Sequence, residues 1–507
     1  MPRSSPPKKI ASQISSAKAE LIDFESLATS SRESDLFVKV VADVYREYQK
    51  RLFQANAMDF DDLLMLTYEI FSTDERAIEK WRARFRHVLI DEYQDTNRAQ
   101  AKIAFALSEV HKNICVVGDA DQSIYSWRKA DIRNILDFER VFPGAKVVLL
   151  ERNYRSTKPI LEAANAVISN NVRRKPKDLW TESSDGEPIY IRECTSERDE
   201  ASWVVSEVLR LAKSRGETYS DIAVFYRTNS QSRALEEQLI SWSVPYQVLG
   251  GVKFYDRKEI KDILAYLRVI VNPSDEVSLK RIINVPKRSI GDSTLAKIDA
   301  GAKKYNLTLF DACELCNDLG ISTRTCNAIG EFTALIGRLR EFSTSDRGPR
   351  EIIEYLVNEI GYLDYLEAEG TFEAESRIDN VLELYSLAES FSSLDEMMEA
   401  VTLVSDSDSL GSELGRVVLM TIHTAKGLEF ENVFMVGMEE GIFPHGRSID
   451  DGDLIEEERR LAYVGITRAR KRLYLSYANS RGMWGETSYN RRSRFIDEIP
   501  ELVVTEV

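Results

Sequence analysis

No stretch of this sequence stays apolar for the ~18–20 residues that crossing a bilayer requires. The best run, Ile263 to Val271, is short and carries Arg268, so a membrane-spanning protein is excluded. The start, 1–9, is polar and proline-rich with no apolar h-region, which argues against secretion. Cysteine is scarce as well. Five in 507 residues cannot build a disulfide framework, and an odd count fits a reducing compartment, so a cytoplasmic protein is expected. Cys313 and Cys316 form a CxxC with Cys326 nearby, but no fourth ligand is in sight and the i, i+3 spacing suits one face of a buried helix; structural thiols are expected rather than zinc ligands. Positive charge is also in deficit: 67 Lys and Arg stand against 83 Asp and Glu, a formal net charge of −16. That sum disfavours nucleic acid, yet counterion release depends on local positive tracks. Such tracks occur at 173–177, 287–288, 468–472 and 491–494, although each taken singly is more often a solvated face.

What remains is ordinary globular material, 43% apolar and 30% charged, in a chain long enough for two to four domains. From 10 to 71 the apolar residues recur at helical spacing, as in Phe37, Val40, Val41, Val44, Tyr45 and Tyr48. The grammar then changes to short β-rich runs, 87–90, 114–117 and 146–150, separated by helix-length segments. It resumes at 188–191, 222–226, 417–422, 433–436 and 473–476, while 257–410 reads as almost purely helical. Buried parallel strands read this way, so an α/β fold interrupted by a helical insertion is expected.

The run His87-Val88-Leu89-Ile90-Asp91-Glu92 places two carboxylates where a buried strand ends, and open α/β sheets bind ligands at the carboxyl ends of their strands. One carboxylate suits Mg²⁺ and the other suits a water attacking a γ-phosphate. The next strand runs into Gly118-Asp119-Ala120-Asp121-Gln122-Ser123-Ile124-Tyr125-Ser126-Trp127-Arg128, which mixes acceptors, an amide and aromatics as a phosphate sensor beside a base-stacking surface would. Arg155 and Arg468, each following a separate strand, could supply finger-type charge stabilisation to a transferring phosphoryl group.

Six segments in order, DEYQDTN, GDADQSIYSWR, NYRS, YRTNSQSR, TIHTAKGLEF and YVGITRAR, resemble the consecutive motifs of the UvrD/PcrA/Rep family of superfamily 1 DNA helicases. The resemblance implies two RecA-like parallel-sheet domains, the first incomplete, with helical insertions. Its implied division is 1–58 as the remainder of subdomain 1B, 59–141 as the later part of 1A, 142–255 and 411–507 as the two parts of 2A, and 256–410 as 2B. It implies ATP and Mg²⁺ as cofactors, with Asp91 as metal ligand, Glu92 as catalytic carboxylate, Gln122 as γ-phosphate sensor and Arg155 and Arg468 as arginine fingers. Tyr154 would stack on adenine and Glu429 would meet the nucleotide. Tyr125, Trp127, Arg128, Arg227, Asn229, His423 and Trp484 match positions that hold or stack single-stranded DNA. Taken singly, His423 reads as a core histidine, Trp127 as a packing aromatic and Arg468 as a surface charge; the ordered motifs turn all three towards function. Lys287 and Arg288 lie in 284–292, which resembles a turn approaching duplex phosphates and reads equally well as a helix connection.

The sequence also departs from the family. None of its 24 glycines is followed by lysine, so a GxxxxGKT phosphate loop is absent from it, together with the Q-motif. Lys129 and Ser289 each stand where glycine is usual. The expected function is an ATP-dependent 3′–5′ helicase and translocase acting in DNA repair or replication on single-stranded DNA and single-strand/duplex junctions, with repair or replication proteins as possible partners. The alternative is a catalytically inactive paralogue that binds DNA or a partner protein.

Overall fold

The computed structural model describes residues 6–30, 36–183, 186–344, 347–405, 415–483 and 486–507; Trp484 lies outside them. Ten strands occur among the described residues: β1 (Val88–Ile90), β2 (Ile114–Val116), β3 (Ile189–Ser196), β4 (Ile222–Tyr226), β5 (Tyr246–Val248), β6 (Val417–Thr421), β7 (Phe430–Met435), β8 (Ala469–Met483), β9 (Glu486–Ser488) and β10 (Val504–Glu506). The chain forms two compact units, one of 1–193, 422–477 and 491–507, the other of 194–421 and 478–490. Both are α/β with parallel strand pairing.

The first unit opens with the helices Pro7–Ala19, Phe24–Ser30, Leu36–Gln54 and Phe60–Thr73, as the helical spacing anticipates. Ile10, Ile14, Val41 and Tyr45 form their apolar seam. Lys18 is buried beneath them, and its ammonium meets Asp59 at 2.7 Å and Asp62 at 2.8 Å, the pairing a buried cation needs. Asp59 also caps the helix that follows by accepting from the Asp62 N–H. β1 and β2 then pair in parallel, Leu89 opposite Cys115. Parallel strands are normally covered on both faces, whereas Leu89 is 77% exposed. The strand expected at 146–150 is absent: that apolar run lacks a hydrogen-bonded neighbour among the described residues, and β-propensity without a paired backbone does not make a strand. Further along, β10, β3, β8 and β7 are neighbours in that order, with β10 parallel to β3 and β7 parallel to β8.

In the second unit β4, β6 and β5 lie side by side in parallel, and every residue of β4 is buried. Helices from Lys258–Val271 to Leu394–Ser405 fill the stretch read as helical. Cys313, Cys316 and Cys326 are buried as free thiols in the apolar core of these helices. No described helix is long and apolar enough to cross a membrane.

Candidate functional site

The carboxyl ends of β1 and β2 carry the first part of the site. β1 stops at Ile90, and the chain turns through Glu92 in the left-handed region, φ 50°. That backbone costs a non-glycine residue about 1 kcal/mol or more. The Asp91 carboxylate accepts from the Glu92 N–H at 2.9 Å. Gln94, wholly buried, ties the two strand ends together: its amide donates to Glu92 at 2.6 Å, and its carbonyl accepts from the Asp119 N–H at 2.9 Å. Gly118 leaves room for this bridge, since a Cβ there would fall 2.4 Å from the Gln94 carbonyl oxygen.

Gln122 sits in a short 3₁₀ turn, Ala120–Gln122, and donates its side-chain amide to Asp119 at 2.9 Å. Asp119 is itself paired with Lys177, which also reaches Asp121 at 3.0 Å. Arg174 grips Asp121 with two donors at 2.9 and 3.2 Å. The basic tract 173–177 is therefore occupied: Arg173 pairs with Asp453 and Lys175 with Glu139 as well. Tyr463 lies beside Asp119, its phenol pushed well above the ordinary range by complete burial.

Lys426, which sequence reading did not single out, holds the two loops together. Its buried ammonium pairs with Asp95, donates to the Gln122 carbonyl at 2.7 Å and lies 3.8 Å from Glu92. Burial raises the Asp95 carboxyl and the Lys426 charge opposes that rise. The signal was available, because Lys426 lies inside TIHTAKGLEF and Asp95 inside DEYQDTN. Asp119, Lys177 and Gln94 were missed for the same reason: their roles are relations between distant segments.

The two arginines follow. Arg155 donates to Glu429 at 2.5 Å and to the Thr467 carbonyl at 3.4 Å, and this bond holds the Glu429 carboxyl below its ordinary range. Arg468 is buried and donates to the Val464 carbonyl, the Leu428 carbonyl and the Thr467 hydroxyl at 3.0, 3.4 and 3.0 Å. Burial, with the Arg155 charge next, brings its guanidinium down to about 10; the charges of Glu92 and Asp119 act on it in the opposite sense. Arg155, Arg468, Glu92 and Asp119 thus share one electrostatic neighbourhood. Tyr154 is 81% exposed, with the Arg152 guanidinium 4.8 Å from its ring centroid.

Beside Gln122 runs an aromatic and cationic surface. The Tyr125 hydroxyl donates to the His423 carbonyl at 3.3 Å, and His423 itself is half-buried. Arg128 lies over both Tyr125 and Trp127, 5.4 and 4.5 Å from the ring centroids, and Trp127 is 41% exposed. Lys129 adopts φ 67°, the conformation that favours glycine. The first unit therefore brings together Asp91, Glu92, Gln122, Tyr125, Trp127, Arg128, Tyr154, Arg155, His423, Glu429 and Arg468.

Arg227, Asn229, Lys287 and Arg288 belong to the second unit. Arg227 and Asn229 flank Thr228 at the end of β4, where the Gln231 carbonyl accepts from the Arg227 and Thr228 N–H groups at 2.9 and 3.0 Å. Arg288 turns inward: it donates to the carbonyls of Ile282, Ile283, Val285 and Pro286 and to the Tyr266 hydroxyl at 2.8 Å. Lys287 beside it is exposed, and Ser289 adopts φ 61°.

Residues 2–143 match the UvrD/REP helicase N-terminal domain, and residues 148–480 match the UvrD-like helicase C-terminal domain. The ATP-dependent DNA helicase PcrA of Bacillus subtilis (strain 168) is 45% identical over 512 residues, covering 99% of this chain and 69% of the relative. The PcrA helicase of Staphylococcus epidermidis is 45% identical over 507 residues and that of Staphylococcus aureus 44% over 508, each covering 98% of this chain and 69% and 68% of the relative.

Proposed function

Because the chain belongs to the UvrD-like helicase family, we propose that it drives ATP-dependent 3′–5′ movement along single-stranded DNA and unwinds duplex at junctions, in repair or replication. One observation carries this reading: a carboxylate at each of two strand ends, Glu92 and Asp119, and the two arginines share one electrostatic neighbourhood, with the Gln122 amide held on Asp119. That is the donor set of phosphoryl transfer, which is catalysed by positioning and charge stabilisation.

The residues fit magnesium. Mg²⁺ takes one or two carboxylates with substrate phosphates and water, and Asp91 engages one carboxylate oxygen with its own loop, leaving the other open among the described residues. Bound there, Mg²⁺ supplies charge neutralisation to the phosphates. Glu92 accepts the proton of the attacking water, and its left-handed backbone sets its direction. Gln122 meets the γ-phosphate, its amide held by Asp119. Arg155 exchanges Glu429 for phosphate, which frees Glu429 for the nucleotide's sugar side. Arg468 adds a second cation from a buried, pre-ordered position. Tyr154 stacks on adenine. Tyr125, Trp127, Arg128, His423, Arg227, Asn229 and Trp484 take the strand, and Lys287 and Arg288 take the duplex. The division into 1–58, 59–141, 142–255, 256–410 and 411–507 belongs to the same proposal.

A second reading is a DNA- or partner-binding module without turnover; the 507 residues themselves hold no Gly-Lys pair. Without a phosphate loop, contacts from Gln122, Arg155 and Arg468 reach only the γ end of ATP. The test is ATP hydrolysis with and without single-stranded DNA, by the 507-residue chain and by the same chain preceded by a GxxxxGKT segment from the Bacillus subtilis relative. Helicase-like turnover is expected only in the second. Turnover at tens per second in the first would overturn the assigned need for a phosphate loop, and silence in both would favour the binding module.

A further inference from the structure

The helix Glu75–Arg84 and the turn after it carry a cluster of positive side chains in the first unit. Arg76, Lys80, Arg82, Arg84 and Arg86 fall within eleven residues, against Glu75 and Glu79, in a chain whose net charge is −16. Arg82 is engaged, donating to the Ala106 carbonyl and to Glu109 at 2.7 Å each. Arg76, Lys80, Arg84 and Arg86 have no carboxylate within ion-pair distance among the described residues and are exposed. Three of them, Arg76, Lys80 and Arg84, recur every four residues, so they stand in one row about 6 Å apart along the helix.

Aromatic rings flank that row. Trp81 and Phe85 stack with centroids 5.4 Å apart and planes 10° from parallel. The Arg84 guanidinium lies 5.5 and 5.9 Å from the two rings, and the Lys80 ammonium lies 5.6 Å from Trp81. Phe85 is 45% exposed, so this pair is not closed into a core. His111 fixes the helix end through a 3.0 Å hydrogen bond between its ring and the Phe85 carbonyl. β1 begins three residues after Phe85 and carries Asp91 and Glu92 beyond its far end, so this surface lies at the opposite end of the strand from the nucleotide carboxylates.

We propose that Arg76, Lys80, Arg84 and Arg86, with Trp81 and Phe85, form a second contact for single-stranded nucleic acid, separate from the Tyr125–Arg128 surface. Unpaired cations in a row take successive phosphates, and an open aromatic face takes a base of any identity, the combination that binds single strands without sequence preference. An acidic protein segment would use the cations but gain nothing from the rings. The proposal rests on the proposed function only for its class of ligand.

The test uses the whole chain and a labelled oligo-dT of roughly 20 nucleotides, enough to span one binding surface, titrated at several salt concentrations. Ultraviolet crosslinks are mapped by mass spectrometry. Lys80→Ala/Arg84→Ala/Arg86→Ala is expected to lower the slope of log affinity against log salt by about two and to weaken low-salt binding about tenfold. Phe85→Ala is expected to weaken binding several-fold with the slope unchanged. In the wild-type chain, crosslinks are expected on the peptide containing Trp81 and Phe85, and they persist in Trp127→Ala. An unchanged slope in the triple variant, with crosslinks confined to Tyr125–Arg128, would overturn the proposal, and the wild-type crosslinks decide it even if a variant fails to fold. Loss of poly-glutamate binding in the triple variant with oligo-dT binding intact would also overturn it, identifying an acidic-protein surface. Crosslinks at Trp81 and Phe85 with none at Tyr125 or Trp127 would uphold this proposal and count against the strand path in the proposed function.

Discussion

Glu92 owes its direction to a backbone that glutamate rarely adopts, φ 50°, held between the Asp91 carboxylate and the buried Gln94 amide. A side chain fixed this firmly suits proton transfer, where reach and protonation state decide the rate. In the chain carrying a phosphate-loop segment, Glu92→Gln is expected to abolish ATP turnover while nucleotide binding, followed with a fluorescent analogue, stays near normal; the amide keeps the shape and cannot take the proton. The strand surface separates two kinds of contact. Trp127 offers an exposed ring with Arg128 packed on it, and stacking is worth ~1–3 kcal/mol per base. Trp127→Ala is therefore expected to weaken oligo-dT binding roughly 5- to 150-fold with little change in salt slope. Arg227→Ala is expected to lower that slope by about 0.7, one phosphate contact on a single strand.

The turn 284–290 is held by two side chains: Asn284, which accepts from the Arg288 and Ile290 N–H groups, and Arg288. Arg288 donates to four carbonyls of the turn, sharing those of Ile282 and Val285 with the Tyr266 hydroxyl, and donates to that hydroxyl as well; its guanidinium lies 5.3 Å from the Phe332 ring centroid. Bonds from a charged donor contribute ~1.5–3 kcal/mol each and do not add, so Arg288→Ala is expected to cost about 2–4 kcal/mol in chemical denaturation. Lys287→Ala, beside it and exposed, is expected to leave stability within about 0.5 kcal/mol. The turn also shows what was legible in the sequence. Ser289 and Lys129 stood out because glycine is usual at both positions, and both adopt positive φ, 61° and 67°. Long periodic helices and β4, β6, β7 and β8 were legible because their apolar patterns need only local repetition. β5 (Tyr246–Val248), β9 (Glu486–Ser488) and β10 (Val504–Glu506) were not, because they lack the continuous apolar run that marks the equally short β1 and β2 and exist only through the strands they pair with. The run 146–150 failed in the opposite sense, having strand composition without a hydrogen-bonded neighbour. Lys177 was illegible as a site residue since its carboxylate partner lies 58 positions away in sequence, and Lys426, although inside a motif, gave no sign of its partner 331 positions away.

Over the whole molecule, 83 acidic against 67 basic residues produce a field that repels nucleic acid, so DNA affinity must be local. Acids neutralise most of the basic tract 173–177, which orders Asp119 and Asp121 after β2. Exposed aromatic rings accompany positive charge at Arg128 and along 76–86, the two places proposed to take the strand. The first unit's strand-end site is proposed to power 3′–5′ movement on single-stranded DNA. This proposal is tested most directly by strand displacement with the chain carrying a phosphate-loop segment, on duplexes bearing either a 3′ or a 5′ single-stranded tail, in the presence of ATP and Mg²⁺. Displacement is expected from the 3′-tailed duplex, lost in Glu92→Gln, with little from the 5′-tailed one. Equal displacement from both, or displacement that survives Glu92→Gln, would contradict it.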